Sequence, residues 1–491
     1  VWRMALTGNP TAYPITTPGQ LVDILVNKTI YNNLVKYQLN GNALSIVPDL
    51  AESWEANGDL TEYTFKVRQG VKWHDGQPLT AADVKFSFDA YLDPKNNSPR
   101  RGTISAIREV QAPDERTVKF LLQSSYAPLP VVLGYNVPIV PKHLLEGKDL
   151  AQPADFIARP VGSGPFKFKR YETGSYLEVE RYDDYFSGKP SLDGIVFKIL
   201  PDSNAQVAQL KSGDLDFAVI SPPQVETLRG TSAIEVREAP QVQYFFFAIN
   251  HTNPVWKEPK VRQAFAHATD RQAIVDNLLK GSGRVATGPI SPLLAEFYNG
   301  NVERYPYNLD RANVLLDEAG WRRGVDGFRA RDGQRLSLVL EGPKGYPVME
   351  QVMTFAQQEF SKLGAEIKLE LDDWNVHLSR YRAGQYGLLM EWWITPPDPD
   401  LFDHYHSTSG SNYWKYNNPE VDALIMQGRA AKTAAERTTI YKQLQDVLAR
   451  DLPVIFLYYP QELQALSRRT QGFPLIGYRD ALSSMQQVSL R

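Results

Sequence analysis

No cysteine occurs among the 491 residues of the chain. Disulfide scaffolds, thiolate metal centres and cysteine nucleophiles are thereby excluded, and a metal site would have to rest on histidine and carboxylates. Long apolar runs are missing as well. The most apolar stretches, "LPVVLGYNVPIVP" and "LPVIFLYYP", are broken by proline and fall short of the roughly 18 residues a membrane-crossing helix needs. Charge of one sign is also lacking. The 53 Lys and Arg against 56 Asp and Glu leave a net charge of −3, which gives no field for drawing in nucleic acid or an anionic membrane. There is no solenoid repeat, P-loop, GxGxxG fingerprint or HExxH pair. The sequence opens at Val1 without a basic and apolar leader, which is the expectation for a chain whose signal peptide has been removed.

What is present reads as a globular α/β protein, with 43% hydrophobic and 22% charged residues. The length exceeds what one core can serve, so at least two domains are expected. From Tyr63, "YTFKVRQGVKWHDGQPLTAADVKFSFDAYL" predicts a strand, a turn at Gly76 and Pro78, and a helix opened by a Thr80–Asp83 capping box. "VGSGPFKFKRYETGSYLEVERY" predicts a hairpin, and "DSNAQVAQLKSGDLDFAVI" a helix ended by Gly213 and followed by a strand. "QYFFFAINH" and "PVIFLYYPQEL" are continuous apolar runs of the kind buried on both faces. Between them, "VMEQVMTFAQQEFSKLG" predicts a helix, "AEIKLELDDW" a strand, and Thr433 with Glu436 caps a further helix.

Taken in order, seven segments resemble the large extracytoplasmic solute-binding proteins of ABC importers, family 5, the dipeptide, oligopeptide and nickel-binding group of cluster C. They are "IVPDLAESWE", "YTFKVRQGVKWHDGQPLTAADVKFSF", "PVGSGPFKFKRY", "LKSGDLDFAVI", "FFFAINHTNPVWKEPKVRQAFAHATDRQAI", "EWWITPPDPDLF" and "YNNPEVDALI". The resemblance implies a two-lobe periplasmic-binding-protein fold of type II with an extra inserted subdomain and a two-strand hinge. Residues 1–36, 157–246 and 462–491 then form the first lobe, 37–156 its inserted subdomain, and 247–461 the second lobe. Hinges fall near Phe247 to Asn250 and near Leu457 to Gln461. The implied protein is a periplasmic, monomeric receptor with no cofactor, which closes on a small organic solute and delivers it to the permease subunits. His74-Asp75-Gly76 becomes a structural turn.

In the peptide binders of this family, the stretch matching residues 391–402 reads Gly-Trp-x-x-Asp-x-x-Asp-Pro-Asp, and its first Asp meets the peptide ammonium. Aligned on Asp398-Pro399-Asp400, the family Trp is Trp392 and the family Asp falls on Thr395, with Glu391 for Gly and Trp393 after the Trp. Asp398, Glu391 and Asp373 are the acids that could replace it. The neutral Thr395 also opens a second reading, an oligosaccharide, glycoside or opine-like sugar-phosphate conjugate, because tryptophan faces suit CH-rich rings. On the resemblance, the ligand-facing set is Trp392, Trp393, Thr395, Trp374, Trp414, Tyr413, Asn412, Tyr346 and Tyr381. Thr17, Gln20 and Asp23 of "TTPGQLVD" join it from the first lobe, whereas Arg100 and Arg101 read as a solvated face.

Two further classes compete with a receptor. A glycoside hydrolase would need two carboxylates flanking the scissile bond, and an extended Asp398-Pro399-Asp400 sets its acids about 7 Å apart. Acids in such a Pro-rich run more commonly hold a turn or the start of the next helix, here near Leu401 and Phe402. His404 and His406 are two apart and share no helical face, and "VGSGPF" is not a nucleophile elbow. A chaperone-like holder of unfolded chains is the third class, and it predicts broad, weak binding.

Overall fold

The computed structural model describes residues 1–16, 20–40 and 43–491. They divide into two compact units, Val1–Pro240 with Pro396–Asp398 and Glu462–Arg491, and Gln241–Thr395 with Pro399–Gln461.

In the first unit, β1 (Trp2–Leu6) is followed by α1 (Leu21–Ile30), β2 (Ala51–Ala56) and β3 (Glu62–Val67). Helix α2 (Ala81–Leu92) begins at the expected capping box, in which Thr80 N–H donates to Asp83 at 2.8 Å. Strands β4 (Ile107–Gln111) and β5 (Thr117–Leu122) complete a four-stranded antiparallel sheet in the order β2-β3-β5-β4. The predicted hairpin is β6 (Phe166–Glu172) and β7 (Tyr176–Arg181). After β8 (Gly194–Ile199), α3 (Ser203–Ser212) stops at Gly213, whose φ of 82° is the left-handed conformation glycine adopts without strain, and β9 (Phe217–Ile220) follows. β1 lies parallel to both β8 and β9, with Met4 opposite Phe197 and Phe217. Trp2, Met4 and Leu6 share one face of β1 and are all buried, while Arg3 and Ala5 on the other face are half-buried. Phe65, Phe88 and Phe120 belong to the same apolar cluster as Trp2 and Phe197.

The second unit begins with β10 (Gln243–Ile249), then β11 (Gly283–Val285) and β12 (Ser337–Pro343). Helix α4 (Pro347–Lys362), β13 (Glu366–Asp372), α5 (Trp374–Ala383) and β14 (Leu388–Ile394) follow. Helix α6 (Ala434–Asp451) starts at the predicted Thr433–Glu436 capping box. The last long strand, β15 (Val454–Ser467), carries the chain from the second unit into the first. The sheet order is β13-β12-β14-β10-β15, so β10 is a central strand between β14 and β15. That position accounts for the apolar run "QYFFFAI". The second unit begins at Gln241, and both Phe247 to Asn250 and Leu457 to Gln461 lie within it. A third passage, at 396–398, had no sequence signal.

His74 is a structural turn residue, as expected. Its Nδ1 accepts from Gly162 N–H at 3.1 Å and its Nε2 donates to the Gly164 carbonyl at 3.0 Å. Burial pushes the imidazole down to about 4, so it stays neutral with both nitrogens engaged. The glycines of "VGSGPF" are required by close approach, since a Cβ on Gly162 would sit 1.9 Å from the Ile30 carbonyl oxygen.

Candidate functional site

Alternation along β14 sends neighbouring side chains to opposite faces of the sheet. Trp392 stands opposite Phe245 on β10, and Phe245 stands opposite Tyr458 on β15. These rings stack across three strands, with centroids 4.6 Å apart for Phe245–Tyr458 and 5.9 Å for Phe245–Trp392. Trp393 is opposite Tyr244 and faces the other way. The two adjacent tryptophans therefore cannot share one ligand surface.

On its own face, Trp392 is half-buried behind two more exposed rings. Tyr346, just before α4, and Trp374, the first residue of α5, lie 5.4 Å from it and 5.8 Å from each other. Tyr346 is 38% exposed and Trp374 37% exposed, an unusual display for residues this large. The cluster is held from beneath. Trp374 stacks over His377 one turn along α5 at 5.6 Å, and His377 Nε2 lies 3.0 Å from Glu391 Oε2, both side chains being buried. Glu391 Oε1 accepts from Trp392 N–H at 2.9 Å. Helix α5 is held a second time by Arg380, which lies 2.7 Å from Asp372, 3.0 Å from Glu341 and 3.5 Å from Glu370. Register places Glu341 beside Glu370 and Pro343 beside Asp372, so one guanidinium serves three carboxylates. Burial first, and then the neighbouring acids, push Glu341 up to about 7 against the pull of Arg380.

The remaining predicted residues fall elsewhere. Trp414 is fully buried, packed against Phe246 at 5.6 Å and Tyr405 at 5.2 Å, and is a core residue. Tyr381 is also buried, its hydroxyl accepting from Trp393 Nε1 at 3.1 Å, and Tyr413 packs edge-on against it at 5.0 Å. Trp393 additionally lies 4.0 Å from the His404 ring, which burial holds down at about 3. Asn412 closes its own loop, donating to the Tyr416 carbonyl at 2.7 Å and accepting from Tyr416 N–H at 3.1 Å. Thr395 is buried, and its N–H donates to Val242 at 3.1 Å. In the first unit, Gln20 is exposed at the start of α1 and Thr17 lies outside the described residues. Asp23 is buried and accepts from Thr11 N–H at 2.7 Å. Arg100, read as solvated, is buried and donates to the Asn136 carbonyl, because a guanidinium can cap an orphan carbonyl from inside the fold.

Of the paired acids, Asp400 holds the chain. Asp400 accepts from Phe402 N–H at 3.2 Å at the start of the short helix Phe402–Tyr405 and pairs with Arg429 at 3.1 Å. Asp398 is buried. Sequence reasoning missed Phe245 and His377. The first was legible in the strand pairing of two aromatic runs, and the second in its one-turn spacing from Trp374.

The sequence pattern of the bacterial extracellular solute-binding proteins, family 5 (middle region), matches residues 45–415. The chain belongs to that family. It is 31% identical over 484 residues to the oligopeptide-binding protein AppA of Bacillus subtilis, covering 96% of this chain and 88% of that one. The dipeptide-binding protein of Escherichia coli is 28% identical over 472 residues, covering 90% and 86%. The B. subtilis AppA structure, solved in complex with a nonapeptide, matches all of this chain and 98% of its own with a TM-score of 0.84 and 29% identity. The substrate-binding protein CtaP of Listeria monocytogenes matches at a TM-score of 0.89 and 27% identity over 100% and 99%. The fold is thus the two-lobe α/β fold of family 5 binding proteins, and these relatives are binding proteins, not enzymes.

Proposed function

We propose that this family 5 protein is the peptide-capturing receptor of an ABC importer, and that the open faces of Tyr346 and Trp374, backed by Trp392, receive part of the peptide. The observation that carries the reading is this half-exposed cluster, built on the "EWWITPPDPDLF" segment and locked underneath by His377 and Glu391. Rigid rings cover apolar area at little entropic cost, which suits a receptor for varied side chains. Support for peptides also comes from the relatives, one named for oligopeptides and one for dipeptides. The sugar reading leaned partly on Trp414, Tyr381 and Asn412, and all three are buried.

Thr395 leaves the peptide ammonium without the acid of the family pattern. Glu391 is committed to His377 and to Trp392 N–H. Asp373 is exposed, precedes Trp374 directly, and does not spend its carboxylate on capping α5. We assign it the role of ammonium partner. Residence in the periplasm as a monomer, after removal of a signal peptide, and delivery to permease subunits complete the proposal. A thermal-shift panel of peptides, oligosaccharides, opine-like conjugates and metal chelates tests it. A peptide at 100 times its dissociation constant adds about 2.7 kcal/mol. Stabilisation by a sugar or chelate, with none by any peptide, overturns the reading.

A further inference from the structure

A cavity of about 300 Å³ lies within the second unit and is lined by none of the residues of the aromatic cluster. That volume is at the lower end of small-molecule sites. Its apolar wall includes Val285 of β11, Leu452 after α6 and Phe456 of β15. Arg271 also lines it.

Arg271 is held entirely by backbone carbonyls. Its Nε donates to Phe456 at 2.6 Å, and its Nη1 to Ala266 at 2.9 Å, to Tyr305 at 3.1 Å and, at the limit, to Thr269 at 3.5 Å. Among the described residues its Nη2 has no acceptor, and no carboxylate lies within the 4.0 Å of an ion pair. The two acids of the lining do not supply one. Asp270 accepts from Ala273 N–H at 2.9 Å, and Glu303 is exposed. Arginine does not shed its proton in proteins, so half-buried Arg271 keeps a cation on the cavity wall. Four carbonyl dipoles offset part of that charge, and with Arg304 also in the lining two arginines stand beside two acids, so Nη2 is the donor left open rather than a net charge left over. The single free Nη2 and the nearby acids favour a monoanion over a phosphate dianion, and the apolar wall favours an alkyl or aryl tail.

We propose that this cavity is a second binding site, for a small amphiphilic monocarboxylate whose carboxylate meets Arg271 Nη2 and whose tail lies along Val285, Leu452 and Phe456. The site is independent of the peptide reading. Arg271→Gln would strip the bonds to those carbonyls and risk the fold, so exposed Gln272, also in the lining, carries the test. Titration calorimetry on the intact protein compares sodium hexanoate with hexanamide. Saturable hexanoate binding is expected, about tenfold tighter than that of hexanamide, which corresponds to 1.4 kcal/mol. Gln272→Glu should weaken hexanoate severalfold by like-charge repulsion, and Trp392→Ala should leave it unchanged. Equal binding of acid and amide, absence of hexanoate binding, or hexanoate binding indifferent to Gln272→Glu overturns the assignment. Loss of hexanoate binding in Trp392→Ala would move the ligand to the aromatic cluster and overturn it as well.

Discussion

His377 Nε2 on α5 lies 3.0 Å from Glu391 Oε2 on β14, with the Trp374 ring stacked over the imidazole. This buried contact joins the helix that displays Trp374 to the strand that displays Trp392. Removing one partner of such a pair strands the other, which costs about 3 to 5 kcal/mol. His377→Ala should therefore lower unfolding free energy in urea by that order. Replacing both residues by leucine should cost less than the sum of the single changes, and strict additivity would show that the two do not act together.

Trp392→Ala and Trp374→Ala should each weaken peptide binding by about 1 to 3 kcal/mol through lost apolar and ring contact. Trp374→Ala removes an exposed side chain and should barely change the unfolding midpoint. Unchanged affinity in both variants would remove the cluster from the site.

Trp414→Ala separates core from surface. Its ring is enclosed by Phe246, Tyr405 and their neighbours, so truncation should cost about 3 to 5 kcal/mol of stability. The fraction that remains folded should bind peptide with wild-type affinity, as active-site titration would show.

Glu341 gives a pH signature of defined sign. Its folded value of about 7 stands above the ordinary 4.5, so between these limits the native state keeps a proton that the unfolded chain has lost. Its contribution to stability therefore falls as pH rises through that window. His74, near 4, and His404, near 3, act oppositely, since the unfolded chain binds their protons first and stability drops on acidification below about 6.5. The difference between wild type and Glu341→Gln isolates the carboxyl. Stability gained by the variant should grow from pH 4.5 to 7 and then level off, and a flat difference would contradict the assignment.

The elements were legible because periodicity, caps and glycine stops all point the same way. The Thr80 and Thr433 boxes and the Gly213 stop stand where local chemistry puts them. The apolarity of "QYFFFAI" comes from its central place in a sheet, a property that pairing confers and linear sequence does not display. The site was legible in part. Strand alternation separates Trp392 from Trp393, and this was available from the sequence once "EWWI" is read as a strand. The burial of Trp414 and Arg100 depends on contacts distant along the chain, with Phe246 and Asn136, and composition alone had no means of placing them inside.

Peptide recognition itself is tested by calorimetric titration of one tightly binding peptide, with a free or an N-acetylated amino terminus, into wild type, Trp392→Ala and Asp373→Asn. Saturable binding at one site is expected, weakened by Trp392→Ala for both forms of the peptide. Asp373→Asn should weaken only the free-amine form. A saturable oligosaccharide with no saturable peptide, or peptide affinity indifferent to Trp392→Ala, would contradict the account.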